Sequence, residues 1–107
     1  MDKLYIVARA DLPLGLQFAQ GCHALRLFVA EHGEVDKQWY ETSNNLVVLS
    51  VPDKHALAKL AYDLTVQDIE VSTFREPDLE NELTAIAAGP SAQRHLSTLP
   101  LAMRRAA

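Results

Sequence analysis

The sequence predicts a single three-layer α/β/α domain built on a mixed four-stranded sheet, three strands parallel and the last antiparallel. Three observations carry this reading. Four short apolar runs, at 4–8, 46–51, 69–74 and 83–88, have the length of strands and end at polar or turn residues. Two stretches of helical periodicity separate the first three runs, and helical crossovers join neighbouring strands in parallel with right-handed connections. Between the third and fourth runs lies only a short polar loop, 75–82, which suits an antiparallel return.

The elements follow in order. LYIVA, from Leu4 to Ala8, is rich in strand formers and stops at a polar turn too soon for a helix. Pro13 suits a first helical turn, where its missing N–H costs nothing. From Leu14 to about Glu31, Phe18, Cys22, Leu25 and Val29 recur at helical spacing and mark an apolar stripe. Gly33 is the expected stop. Residues 34–45, EVDKQWYETSNN, are polar and read as a loop. LVVLSV at 46–51 is a second buried strand, and Asp53 caps a second helix whose core face is Leu57, Leu60, Ala61 and Leu64. IEVSTF at 69–74 and LTAIAA at 83–88 are the third and fourth strands, the latter ending at Gly89-Pro90. Ser91 to Leu96 holds one helical turn or two. Residues 1–101 are expected to form the domain and 102–107 a loose tail.

Composition narrows the function. A hydrophobic fraction of 49% and a charged fraction of 22% are those of an ordinary soluble globular domain. No apolar run approaches the roughly 20 residues that cross a bilayer, and the N-terminus lacks a signal peptide's cleavage site, so no membrane partner and a cytoplasmic location are expected. The single cysteine, Cys22, leaves no internal disulfide and no metal-site spacing, and neither metal nor cofactor is expected. A net charge of −4 argues against a protein that grips nucleic acid through a broad basic face; any such contact must rest on a local patch. P-loop, zinc, dinucleotide and G-x-S-x-G patterns are all missing.

Some polar residues stand out. Gln20 and His23 lie three apart on the first helix and share a face. Cys22 falls on the apolar stripe and reads as a small buried hydrophobe; His23 projects about 100° away around the helix, so the two make no nucleophile–base couple. Arg9 and Asp11 flank the end of the first strand, and Arg75 to Glu82 follow the third, the end of such a sheet where ligands gather. Each also has a plain structural reading. Asp11 can accept from backbone donors at the helix start, Glu76 can belong to a solvated acidic loop, and Thr84 can be an ordinary strand threonine.

In their order and spacing, "VARADLPLG", "FAQGCHA", "NNLVVLSVPD", "FRE" and "LTAIAAGP" resemble the type II peptidyl-tRNA hydrolases, from about Leu4 to Pro100. The resemblance implies an α/β/α homodimer that hydrolyses, without a cofactor, the ester joining a peptide to the 3′ end of tRNA. Peptidyl-tRNA, or another RNA or nucleotide ligand, is the implied partner. By position it implies Gln20, His23, Glu76 and Thr84 as catalytic and Arg9 and Asp11 as substrate-binding, with Glu76 where the family has aspartate. Two departures stand beside it. In the shortened turn "LPLGLQ", Leu16 occupies the place of a catalytic lysine, and the family's Asp-Ala-Gly and following threonine have become "EPDLENE". Losing one preorganised donor of that kind commonly costs about 10²–10³ in rate. Arg9 or a water network is expected to stand in for the lysine. The alternative is a non-catalytic module recognising a nucleotide, an RNA end or a protein in the same cleft.

Overall fold

The computed structural model describes residues 2–104. The chain runs β1 (Lys3–Arg9), α1 (Leu14–Glu31), α2 (Gly33–Thr42), β2 (Asn45–Val51), α3 (Lys54–Val66), β3 (Val71–Glu76), β4 (Glu82–Ala88) and α4 (Gln93–Leu96), with 3-10 turns at Pro77–Leu79 and Pro90–Ala92. The sheet order is β2-β1-β4-β3. β1 and β2 pair in parallel, and β4 is antiparallel to both β1 and β3. So β1, β2 and β3 point one way and β4 the other, as the crossovers require. β1 and β4 lie at the centre and are buried almost throughout, which is why they read as unbroken apolar runs.

Strand alternation sorts the core into two layers. Tyr5, Val7, Leu49, Val51 and Ile86 pack on one side against Leu57, Ala61 and Leu64 of α3 and Leu96 of α4. Leu4, Ala85 and Ala87 pack on the other against Ala24 and Phe28 of α1 and Trp39 of α2. α3 starts where expected, the Asp53 carboxylate accepting the Ala56 N–H at 2.9 Å.

Several expectations are corrected. Residues 34–45 are not a loop: Gly33–Thr42 form α2. This helix buries Trp39 alone and half-buries Val35, so one anchor in a polar sequence leaves no periodic stripe to read. Gly33 does not end α1; the break falls at His32 (φ −129°, ψ 50°), and Gly33 opens the next helix. The face of α1 turned to the sheet is Gln17, Gln20, Gly21, Ala24 and Phe28, while Phe18, Cys22 and Val29 are exposed. The helix lies closest at Gly21, where a Cβ would stand 3.2 Å from Ile6 Cγ2. β3 begins at Val71, later than the periodicity suggests, because Ile69 N–H still closes the end of α3 on the Leu64 carbonyl at 3.0 Å. At the end of the chain, Leu101 bridges Leu49, and Ala102 N–H donates to Val48 O at 2.9 Å, so residues 100–102 cover part of the β2 edge. Arg105–Ala107 of the expected loose tail lie outside the described residues. Among the described residues no helix is long and apolar enough to cross a membrane.

Candidate functional site

A β-bulge builds the site. Phe74 pairs with Ala85 and Arg75 with Leu83, which leaves Thr84 as an extra residue on β4. By strict alternation Thr84 would share the α3 side with Ile86 and Ala88. The bulge turns it to α1 instead, where its hydroxyl donates to Gln20 Oε1 at 2.6 Å. Gln20 Nε2 then donates to Glu76 Oε1 at 2.8 Å. Both Gln20 (1% exposed) and Thr84 (0%) are sealed from solvent, so this relay is a fixed support and not a mobile arm.

Glu76 ends β3 at the solvent end of the relay. Its second oxygen accepts the Asp78 N–H at 3.3 Å, capping the 3-10 turn that follows. The Gln20 amide, the Asp78 N–H and nearby His23 together hold its carboxyl below the usual carboxylate range. It is ionised at neutral pH, well suited to accept a hydrogen bond from water or a ligand and weak as a proton acceptor. His23, less than one turn along α1 from Gln20, is exposed, and its ring stacks on Phe74 with centroids 4.7 Å apart and planes 14° apart.

Arg9 and Asp11 form a second group on the other side of the sheet. Arg9 continues the Tyr5 and Val7 face of β1 and is 5% exposed. Its guanidinium grips Asp11 through two bonds of 2.9 Å. It also donates to Glu82 at 2.8 Å and to the Leu83 carbonyl at 3.1 Å. Lys54 of α3 approaches Glu82 at 3.7 Å. The Asp11 hydrogen bond, with Glu82, outweighs burial and raises the Arg9 pKa further, while Arg9 holds both carboxylates below their usual range.

Of the six residues singled out in the sequence, then, Gln20, Glu76 and Thr84 are bonded together with His23 beside them, and Arg9 and Asp11 are held apart. Among the described residues no hydrogen bond joins the two groups. With most of its N–H groups already paired, Arg9 is not available at the Glu76 mouth in the lysine's place. Leu16, one turn before Gln20, is half-buried and brings no charge. Cys22 is exposed and does not pack in the core as a buried thiol would. Sequence reasoning missed Glu82 as the partner of Arg9; an acid at the mouth of an otherwise apolar strand was the available signal. It missed Gln17 as well, whose amide donates to Leu12 O at 2.6 Å and pins the turn between β1 and α1. Among the described residues no three His, Cys, Asp or Glu side chains cluster as a metal site requires.

The fold is similar to the solved structure of a protein of unknown function from Agrobacterium tumefaciens strain C58. The TM-score is 0.66 over 92% of this chain and 96% of that chain, at 16% identity. No curated protein matches. The family described as peptidyl-tRNA hydrolase PTH2 matches residues 2–101, a span that takes in every strand and helix above, and the chain belongs to that family.

Proposed function

We propose that the protein hydrolyses the ester between a peptide and the 3′ end of tRNA at the mouth formed by Glu76 and His23. The observation that carries this reading is the buried Thr84–Gln20–Glu76 relay, which aims an ionised carboxylate outward in a fixed direction. Glu76 orients the attacking water, and His23 takes the proton. Leu16 offers nothing to a developing oxyanion, so turnover is slow, and Arg9 serves by holding Asp11 and Glu82 at the end of the sheet. A substrate made by the ribosome places this work in the cytoplasm, and the apolar side chains left open on α1 favour a homodimer.

The test is release of N-acetylated aminoacyl groups from tRNA by purified protein. Wild-type turnover is expected, and Glu76→Gln should cut it by at least about tenfold, a barrier change of about 1.4 kcal/mol. Commitment of Arg9 to Asp11 and Glu82, together with Leu16, favours a second reading, a module that binds the tRNA end without cleaving it. Retained tRNA binding with no turnover would replace the first reading by the second.

A further inference from the structure

The two edges of the sheet differ. Residues 100–102 lie against β2 through the Leu101–Leu49 bridge, whereas among the described residues no strand lies outside β3. The ladder tells which groups this leaves bare. The Glu70 carbonyl accepts the Gly89 N–H at 3.0 Å, so residue 70 turns toward the β4 side. The next carbonyl, that of Val71, turns away and accepts from His32 Nε2 at 3.2 Å. Antiparallel pairing alternates in this way, so Ser72 faces β4 and Thr73 directs both its N–H and its C=O outward. Thr73 is exposed, and among the described residues no group of another element bonds to these two. His32 therefore closes the far end of the edge, and the open part leads from Thr73 to Glu76, the carboxylate fixed by Gln20.

We propose that the peptide part of the substrate adds to this edge as a further strand, parallel to β3 and held by the Thr73 N–H and C=O. The identity of the ligand rests on the hydrolase reading above. Chemistry fixes the direction: the ester is at the C-terminal end of the peptide and must reach Glu76, where β3 also ends. A strand added in parallel bonds one residue of its neighbour twice, through the C=O of one of its residues and the N–H two residues further on. Glu76 lies three positions beyond Thr73, roughly 10 Å along the strand. A peptide therefore gains the first bond at about its third residue from the ester and the second at about its fifth. Main-chain bonds supply affinity without reading side chains, so the edge accepts peptides of unrelated sequence, as a substrate carrying any nascent chain requires. Proline where an N–H is needed is the exception.

Binding of uncleavable analogues, in which an amide replaces the ester at the 3′ end of tRNA, tests the edge separately from turnover. By fluorescence anisotropy the native protein should bind an analogue carrying about six residues about tenfold tighter than one carrying a single N-acetylated residue, as two added hydrogen bonds require. Alanine-rich and threonine-rich peptides should show the same gain, and N-methylation of the third amide from the tRNA should remove most of it. Thr73→Pro should abolish the difference between the long and short analogues with circular dichroism unchanged, since the lost N–H faces away from β4 and edge strands tolerate proline. Should this variant misfold, the N-methylated analogue reads the same edge on the native protein. Equal affinity of the long and short analogues overturns the edge; turnover of N-acetylated aminoacyl-tRNA then still keeps the hydrolase. A length-dependent gain without turnover keeps the edge and places it on a module that binds the tRNA end. No binding of either analogue and no turnover overturns both.

Discussion

The Thr84 hydroxyl reaches Gln20 Oε1 across 2.6 Å, and this bond decides which way the Gln20 amide faces. A carboxylate only accepts, so Gln20 must turn its NH₂ to Glu76, and the oxygen left behind needs a donor. Thr84→Val keeps the shape and removes that donor. The buried amide oxygen is then unpaired, at about 1–3 kcal/mol, and the thermal midpoint should fall by about 4–8 °C for each kcal/mol in a chain of this size. Turnover should fall with it, because Glu76 loses its fixed direction. Thermal melts and the tRNA release assay read both effects, and Thr84→Ser should restore most of each.

Arg9→Met asks whether Arg9 supports the fold or the chemistry. Its removal takes a donor from the Leu83 carbonyl and leaves Asp11 without its bidentate partner, at about 2 kcal/mol when hydrogen bonds to a charged group are lost. Urea unfolding should show that loss. Any fall in turnover should be no larger than the accompanying disorder at the end of the sheet explains. A protein of wild-type stability with turnover abolished would restore Arg9 to the reacting centre.

Acid should undo the same contacts. Asp11 and Glu82 are held low first by Arg9, and Glu76 first by Gln20. A carboxylate whose folded pKa lies below its unfolded one binds its proton less readily when folded. Its contribution is therefore complete above the ordinary carboxylate range and is lost as pH falls through the folded value. The melting midpoint should be level from neutrality to about pH 5 and drop below about pH 4. Arg9→Met should flatten that drop, since two of the three shifts then lose their main cause.

Glu80 and Asn81 both sit in the left-handed region, at φ 54° and 61°. Asparagine tolerates this conformation, whereas a glutamate there is strained. Glu80→Gly should raise stability by about 0.5–1 kcal/mol after the added freedom of the unfolded chain is subtracted. A shift of the urea midpoint to higher concentration checks it.

The four strands and two long helices were legible because their apolar runs are long enough to reveal a period. α2 was not: Trp39 anchors it almost alone, and a single buried aromatic has no period. α1 shows a different limit. Its helical spacing was plain, yet the apolar stripe through Phe18 and Cys22 faces outward, while Gln17, Gln20 and Gly21 face the sheet. Periodicity tells that a helix has a stripe and not which neighbour claims it. Thr84 could be singled out by resemblance and not by pattern, since alternation along β4 puts it on the wrong side until the bulge is known. The pairing of Arg9 with Glu82 joins residues 73 apart in the chain, and its local signal was no more than an acid opening an apolar strand.

The sheet order has a consequence for how the molecule is made. Its two central strands come from opposite ends of the chain, Tyr5 facing Ala88 and Ala8 facing Ala85. β4 is also the strand that joins β3 to the rest of the sheet. While the polypeptide is being synthesised, β1 and β2 can pair, but one edge of β1 stays open and β3 has no neighbour until residues 82–88 emerge. Closure of loops this long is slow, and an open apolar edge invites pairing with other chains. The sheet therefore closes only after residues 82–88 have been made, and until then the fold of everything before them is incomplete.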